Sequence, residues 1–240
     1  MMKTISSKDN AEIKNLIKIY QNRKARTESN LFIVEGYNMV EEASKAHVLK
    51  HIYTLKEEKG YKNQTIITKE LMNKICDSVT PKGIIGLCEK PNLNHVGNKI
   101  LYLDRIQDPG NMGTLIRSAR AFNFDTIILN NTVDLYNPKT LRSSEGNLFY
   151  ISFVEKTIEE LKKDGYFVFG TSMNGKVLED LKDCPEKIVL ILGNEGTGVS
   201  HNLLQASDVN RTISMNNDTE SLNVGVAGSI IMHHLTFNCK

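Results

Sequence analysis

Three short stretches in the second half of the chain gather side chains able to do polar chemistry at the ends of apolar runs. In the first, Pro109-Gly110 leads into Asn111 and Gly113, with Arg117 six residues after the asparagine. Pro-Gly turns the chain, Asn111 is a good N-cap, and the helix start so formed is a natural anion site. In the second, Gly193-Asn194-Glu195-Gly196-Thr197-Gly198 comes straight off an apolar run at 188–192. Its glycines resemble a phosphate cradle. It lacks, however, the Gly-Lys-Ser/Thr ending of a P-loop and the Gly-x-Gly-x-x-Gly order of a dinucleotide site. Glu195 also puts a carboxylate in the loop, which repels a phosphate and tolerates a cation such as a sulfonium. The third stretch, Ser221-Leu222-Asn223, precedes the small residues Gly225, Ala227, Gly228 and Ser229, which permit close helix packing, with Ser221 as the expected N-cap.

These side chains need a frame that brings them together. Apolar runs predict strands at 100–103, 126–129, 166–170, 188–192 and 212–215, alternating with helices at 112–122, 138–144, 158–163, 201–206 and 222–237. Such alternation with short loops predicts an α/β domain whose mostly parallel sheet is covered on both faces. Ligands on such sheets sit beyond the carboxyl ends of the strands, where all three stretches fall. Upstream, Ile13, Leu16, Ile17 and Tyr20 form the apolar stripe of a helix that Asp9 or Asn10 could cap. Strands at 31–34, 49–55, 65–68 and 84–88 and helices at 37–46 and 69–77 complete a smaller α/β domain at 1–90. Residues 91–99, with Pro91, Asn92, Asn94, Gly97 and Asn98, have linker composition, leaving 100–240 as the second domain.

A chain of 240 residues with 40% hydrophobic and 24% charged residues can bury a core in each of two domains. The net charge of +2 hides an asymmetry. Residues 1–90 carry 16 Lys+Arg against 11 Asp+Glu, and the first 26 carry seven against two, whereas 91–240 are mildly acidic. A basic module beside an acidic one suits gripping a phosphate backbone with one part and doing chemistry with the other. It also suits a lysine face that is merely solvated. Cys76, Cys88, Cys184 and Cys239 show neither Cys-x-x-Cys spacing nor histidine partners, so reduced thiols in a cytoplasmic protein are expected. His47, His51, His233 and His234 have no metal-ligand spacing, and no metal is expected. The polar start and the lack of a long apolar run argue against secretion and membrane insertion.

In order and spacing, Asn111-x-Gly113-x-x-x-Arg117, the Gly193 loop and Ser221-Leu222-Asn223 resemble the three signatures of the SpoU/TrmH family, RNA methyltransferases of the SPOUT class. The resemblance covers 100–240. It implies methyl transfer from S-adenosylmethionine to a ribose 2′-hydroxyl, a trefoil knot formed by the C-terminal segment, and a homodimer with the site near the subunit junction. Carried over, Arg117 is the residue most closely tied to catalysis, with Asn111, Glu195, Ser221 and Asn223 completing the polar wall. Because a guanidinium stays protonated, Arg117 is expected to orient ribose and phosphate and to stabilise the developing alkoxide rather than to take a proton. Glu195 is expected to orient Arg117 or loop backbone. The family's cofactor contacts fall on Gly193, Ile213 and Leu222, with Leu192, Met215 and Thr171 as further candidates.

Between the signatures, Arg142-Ser143-Ser144-Glu145-Gly146-Asn147 is similar to the family's Arg-x-Ser-x-Gly-Ala element, with Asn147 in place of alanine. Arg142 and Ser144 thereby become candidate RNA contacts. Upstream, Arg23-Lys24-Ala25-Arg26 and Phe32 to Gly36 look like the small L30e-like RNA-recognition domain of many members, with Arg23, Lys24 and Arg26 as phosphate contacts. The extra domain favours 23S ribosomal RNA as substrate. Transfer RNA is the alternative substrate, and a catalytically idle RNA-binding or ribosome-assembly factor of the same fold is the alternative to an enzyme.

Overall fold

The computed structural model describes residues 3–238 apart from 77–79, 182 and 217. The chain forms two compact units. One holds Met1–Pro91 and Asp134–Phe149, the other Asn92–Val133 and Tyr150–Lys240.

In the first unit, β1 (Lys3–Ile5), α1 (Ala11–Gln21), α2 (Arg23–Ser29), β2 (Leu31–Glu35) and α3 (Tyr37–Lys45) are followed by β3 (Leu49–Thr54), β4 (Gln64–Ile67), α4 (Lys69–Cys76) and β5 (Ile84–Glu89). The sheet order is β1-β4-β3-β5-β2. β4 is parallel to β1 and β3, while β5 is antiparallel to β3 and β2. Asn10 is the cap of α1, accepting from Glu12 N–H at 2.8 Å. Ile13, Leu16 and Ile19 of α1 then pack with Leu71, Met72 and Ile75 of α4 around Ile33, Tyr53 and Ile67. β1 has no counterpart in the sequence pattern, because three residues carry too little periodicity to read. The first helix also breaks where its apolar stripe ends: Asn22, in extended backbone, caps α2 through Ala25 N–H. Arg23, Lys24 and Arg26 therefore sit on a short helix of their own.

Further along come β6 (Lys99–Asp104), α5 (Pro109–Ala121), β7 (Thr126–Asn130), α6 (Pro138–Ser144), β8 (Ser152–Phe153) and α7 (Ile158–Lys163). β9 (Phe167–Val177), β10 (Ile188–Leu192), α8 (His201–Ala206), β11 (Val209–Thr212) and α9 (Val224–Phe237) complete the chain. α6 belongs to the first unit. The strands form one sheet of order β11-β9-β10-β6-β7-β8, parallel at every pair. β10, buried at all five positions, reads Ile-Val-Leu-Ile-Leu, the unbroken apolar run of a strand covered on both faces. The chain leaves β6 towards β7 and β8 but later builds on the other side through β9 and β10. The β6 and β10 ends thus flank the switch point at which such sheets hold ligands. Residues 92–98 have no regular structure but are tied to this unit, Gly97 N–H donating to Thr126 Oγ1 and Tyr166 OH to Gly97 carbonyl.

The segment Asp134–Phe149 joins the first unit through Asp134, whose carboxylate receives Arg26 Nε and NH2 at 2.9 and 2.6 Å. Tyr136 and Phe149 stack on Phe32, with ring centroids 4.8 and 5.8 Å away. Cys76 and Cys88 are buried thiols, and burial pushes Cys76 up to about 12. Cys184 corrects the expectation of free thiols, being disulfide-bonded, a state that local spacing cannot reveal. Cys239 lies outside the described residues.

Candidate functional site

Residues 193–198 form a closed loop at the end of β10. Asn194 and Gly198 exchange both backbone hydrogen bonds, at 3.1 and 2.9 Å. The Asn194 side-chain oxygen accepts from the N–H groups of Gly196 and Thr197, both at 3.0 Å. Gly193 has no room for a side chain: a Cβ there would lie 2.1 Å from Val199 N and 2.2 Å from Gly198 C, both backbone atoms. Gly198 takes φ +67°, which favours glycine.

Beside this loop lies a cavity of about 410 Å³. Thr171, Leu192, Gly193, Ile213, Met215 and Leu222 all line it, together with Ser221 and Glu195. Its size falls within the range of about 300–1,000 Å³ usual for small-molecule sites. Two differences from the expected elements shape it. β11 spans Val209–Thr212 rather than 212–215, so Ile213 and Met215 are loop residues presented to the cavity. α9 is capped by Asn223, whose Oδ1 accepts from the N–H groups of Gly225 and Val226 at 2.9 and 3.3 Å. Ser221 is consequently not the cap; it precedes the helix and lines the cavity instead.

Glu195 joins the three motifs. Its carboxylate receives Asp108 N–H and Asn111 Nδ2 at 3.1 Å, and Gln107 N–H and Asn194 Nδ2 at 3.3 Å. Asn223 Nδ2 in turn donates to Asn111 Oδ1 at 2.9 Å. Burial works to raise the Glu195 pKa, but donation from its own backbone, Asn111, Asp108 and Gln107 outweighs it and holds the group below its ordinary value. The carboxylate is thus a fixed anion. Asn111 is free to take part because it does not cap α5: Asp108 does, accepting Asn111 N–H at 2.8 Å, with Pro109 at the first helical turn. Proline suits that position because its missing N–H would have no intrahelical partner.

Arg117 is exposed on α5, two turns after the cap, and is not among the residues lining the cavity. Of the candidate RNA contacts, Arg23 and Lys24 are exposed, Lys24 lying 3.8 Å from Glu28. Two expectations are corrected. Arg26 is 3% exposed, and besides Asp134 it donates to the carbonyls of Ile19 and Tyr20, so its guanidinium is committed to the interior. Ser144 is fully buried, its hydroxyl turned back onto the Leu141 carbonyl. Arg142 is half-exposed, 3.6 Å from Glu35 and 3.3 Å from the Tyr20 hydroxyl. Asn147, where the family has alanine, donates to the Ser144 carbonyl at 2.9 Å and so closes the end of α6.

Asp104 and Arg105 have structural roles at the site that motif reading does not single out. Asp104, buried at the end of β6, accepts from Asn130 Nδ2 and Ser200 N–H, both at 2.9 Å. Arg105, in left-handed backbone at φ +58°, donates to the Gly198 carbonyl at 3.1 Å, and its own carbonyl accepts Asn194 Nδ2 at 2.9 Å. Together they clamp the Gly193 loop to the neighbouring strand ends. The signal available in sequence was an acid-base pair directly at a strand's carboxyl end. Among the described residues no group of three or more His, Cys, Asp or Glu is placed to hold a metal ion, and no helix is long and apolar enough to cross a membrane.

Residues 98–233 match the SpoU rRNA Methylase family, and residues 10–86 match the MRM3-like substrate binding domain. The chain is 35% identical to the 23S rRNA (guanosine(2553)-2′-O)-methyltransferase RlmP of Bacillus subtilis (strain 168), over 98% of this chain and 99% of that protein. The solved structure of an AdoMet-bound rRNA methyltransferase from Sinorhizobium meliloti superposes with a TM-score of 0.84 at 24% identity, covering 98% of this chain and 97% of the other. The SpoU methyltransferase AviRb from Streptomyces viridochromogenes, in complex with AdoMet, gives a TM-score of 0.79 at 22% identity, covering 95% and 97%. The two solved structures share the fold.

Proposed function

Because the chain belongs to the SpoU rRNA methylase family, we propose that it transfers a methyl group from S-adenosylmethionine to a ribose 2′-hydroxyl of 23S ribosomal RNA, acting in the cytoplasm as a homodimer. The observation carrying this reading is that Gly193, Ile213 and Leu222, from three separate loops, line one cavity next to the hydrogen-bonded set Glu195, Asn111 and Asn223. The cavity suits the donor. It offers an apolar wall from Leu192, Ile213, Leu222 and Ile231, the backbone of a glycine loop, and a carboxylate held ionised where a phosphate would be repelled.

When bound, S-adenosylmethionine supplies an electrophilic methyl group open to in-line displacement. The chain's part is to hold and orient. Glu195, already saturated with donors, fixes the start of α5 and the Asn111 amide rather than accepting the proton. Arg117 lies exposed on that helix, where RNA can reach it, and its permanent charge suits it to position ribose and phosphate and to stabilise the alkoxide. Ser221 and Asn223 complete the polar wall. Residues 1–90, with Asp134–Phe149 packed into the same unit, form the RNA-binding domain, and the rest of 100–240, reached through 91–99, forms the methyltransferase domain, whose C-terminal segment is knotted as in the family. Arg23 and Lys24, and Arg142 on α6, contact RNA phosphates. A homodimer is supported by the apolar stripe on α9, where Val226, Ile230 and Phe237 are 48%, 41% and 59% exposed on one face.

The test is methyl transfer to 23S RNA taken from cells lacking the gene, with 2′-O-methyl positions mapped, beginning with the guanosine that corresponds to the relative's target. The wild-type protein restores one missing methyl. Arg117→Ala restores none while binding S-adenosylhomocysteine as the wild type does, measured by calorimetry. Normal transfer by that variant removes the role given to Arg117, and no methyl difference with the wild type removes the function.

A further inference from the structure

The proposed reading leaves one charged group on the cavity wall without a role. Arg211, on β11, is the one cation among the described residues that line the cavity. Its NH1 donates to the Val177 carbonyl at 3.1 Å, while Nε is buried with no hydrogen-bond partner. A buried donor without an acceptor costs about 1–3 kcal/mol and asks for an explanation.

The backbone goes to some length to put Arg211 there. Asn210 pairs with Gly170 on β9, yet the next residue, Arg211, pairs with Lys176, so 171–175 leave the ladder. Thr171, Ser172 and Met173 of that bulged stretch line the same cavity. Gly175 lets the two strands meet: a Cβ there would lie 2.6 Å from Arg211 C and 2.8 Å from Asn210 C. Irregularities of this kind re-aim side chains and recur beside active sites.

We infer that Arg211 is a cofactor-binding residue that pairs with the carboxylate at the amino-acid end of S-adenosylmethionine. The inference rests on the donor proposed above. That donor has two cationic groups, the sulfonium and the ammonium, and one anion. Burying a carboxylate without a partner is costly, and a guanidinium fork matches it in charge and shape. The other charged side chain on the wall is Glu195, which repels it. Arg211 remains as the group able to receive it.

Two ligands isolate the contact: S-adenosylhomocysteine, which carries the carboxylate, and 5′-methylthioadenosine, which keeps the nucleoside and thioether but lacks the amino acid. Arg211→Met weakens the first by about ten- to a hundredfold, the range of a charge-assisted hydrogen bond, and leaves the second unchanged by calorimetry. Arg211→Lys retains part of the difference. Equal weakening of both ligands, or of neither, overturns the inference while leaving the donor in place. If the wild type binds neither ligand, the donor reading itself fails and this inference with it. A measurement on the wild type alone guards against a variant that does not fold. Converting the carboxylate of S-adenosylhomocysteine to its amide lowers affinity by a similar factor, and unchanged affinity overturns the inference.

Discussion

Glu195 is a side chain that its surroundings hold ionised. Burial works to raise its pKa, but donation from its own backbone, Asn111, Asp108 and Gln107 outweighs this, so the ionised form is favoured in the folded protein and the pKa lies below the ordinary glutamate value. A lowered folded-state pKa means a stabilising contribution that is complete above the unfolded value and disappears as pH falls through the folded one. Glu195→Gln turns an amide N–H towards some of these donors. It should lower stability by about 1 kcal/mol after solvent screening. Urea midpoints taken across pH should show that deficit undiminished near neutrality and shrinking once pH falls below the ordinary carboxylate range. A deficit independent of pH down to strongly acidic conditions would remove the ionised carboxylate from this account.

At the scale of elements, the caps decide which side chains reach the site. Asp108 caps α5 and so releases Asn111, while Asn223 caps α9 and so releases Ser221. Losing an Asn cap costs about 0.5–2 kcal/mol. Asn223→Ala should therefore lower Tm measurably, and Ser221→Ala should leave it where it was. The reverse order in a thermal melt would assign the cap to Ser221. α9 is held close by its small residues: a Cβ on Gly228 would lie 2.5 Å from both Leu115 Cδ2 and Leu192 Cδ1, so the helix sits directly against α5 and β10.

At the scale of the whole molecule, the chain divides in a way that does not follow sequence order, because Asp134–Phe149 packs into the first unit. Arg26 holds it there with bonds to Asp134 and to two main-chain carbonyls. Removing one member of a buried ion pair leaves the other uncompensated and costs about 3–5 kcal/mol. Arg26→Ala should thus shift the urea midpoint strongly, whereas Arg23→Ala and Lys24→Ala leave stability within experimental scatter and reduce RNA affinity in a salt-dependent manner. An Arg26→Ala protein as stable as the wild type would mean that the segment is anchored some other way.

The sequence by itself determined the alternation of strands and helices, the carboxyl-end position of all three motifs and their family. These are encoded locally: apolar period sets element type, and Pro, Gly and Asn mark turns wherever they occur. Gly193, Ile213 and Leu222 could be named before any fold was in hand because the resemblance to the family carries its cofactor contacts onto them. Only the tertiary structure decided which of two neighbouring polar residues caps a helix, since the choice between Asp108 and Asn111 depends on Glu195, 84 residues beyond Asn111. Likewise Arg26 reads as a surface cation until Asp134 arrives from 108 residues away and makes burial tolerable. Arg211 carries no motif at all; it matters because a bulge between two strands brings it to the cavity wall. Local chemistry chooses the pieces, and partners distant in sequence choose which charges are satisfied inside and which are left facing a ligand.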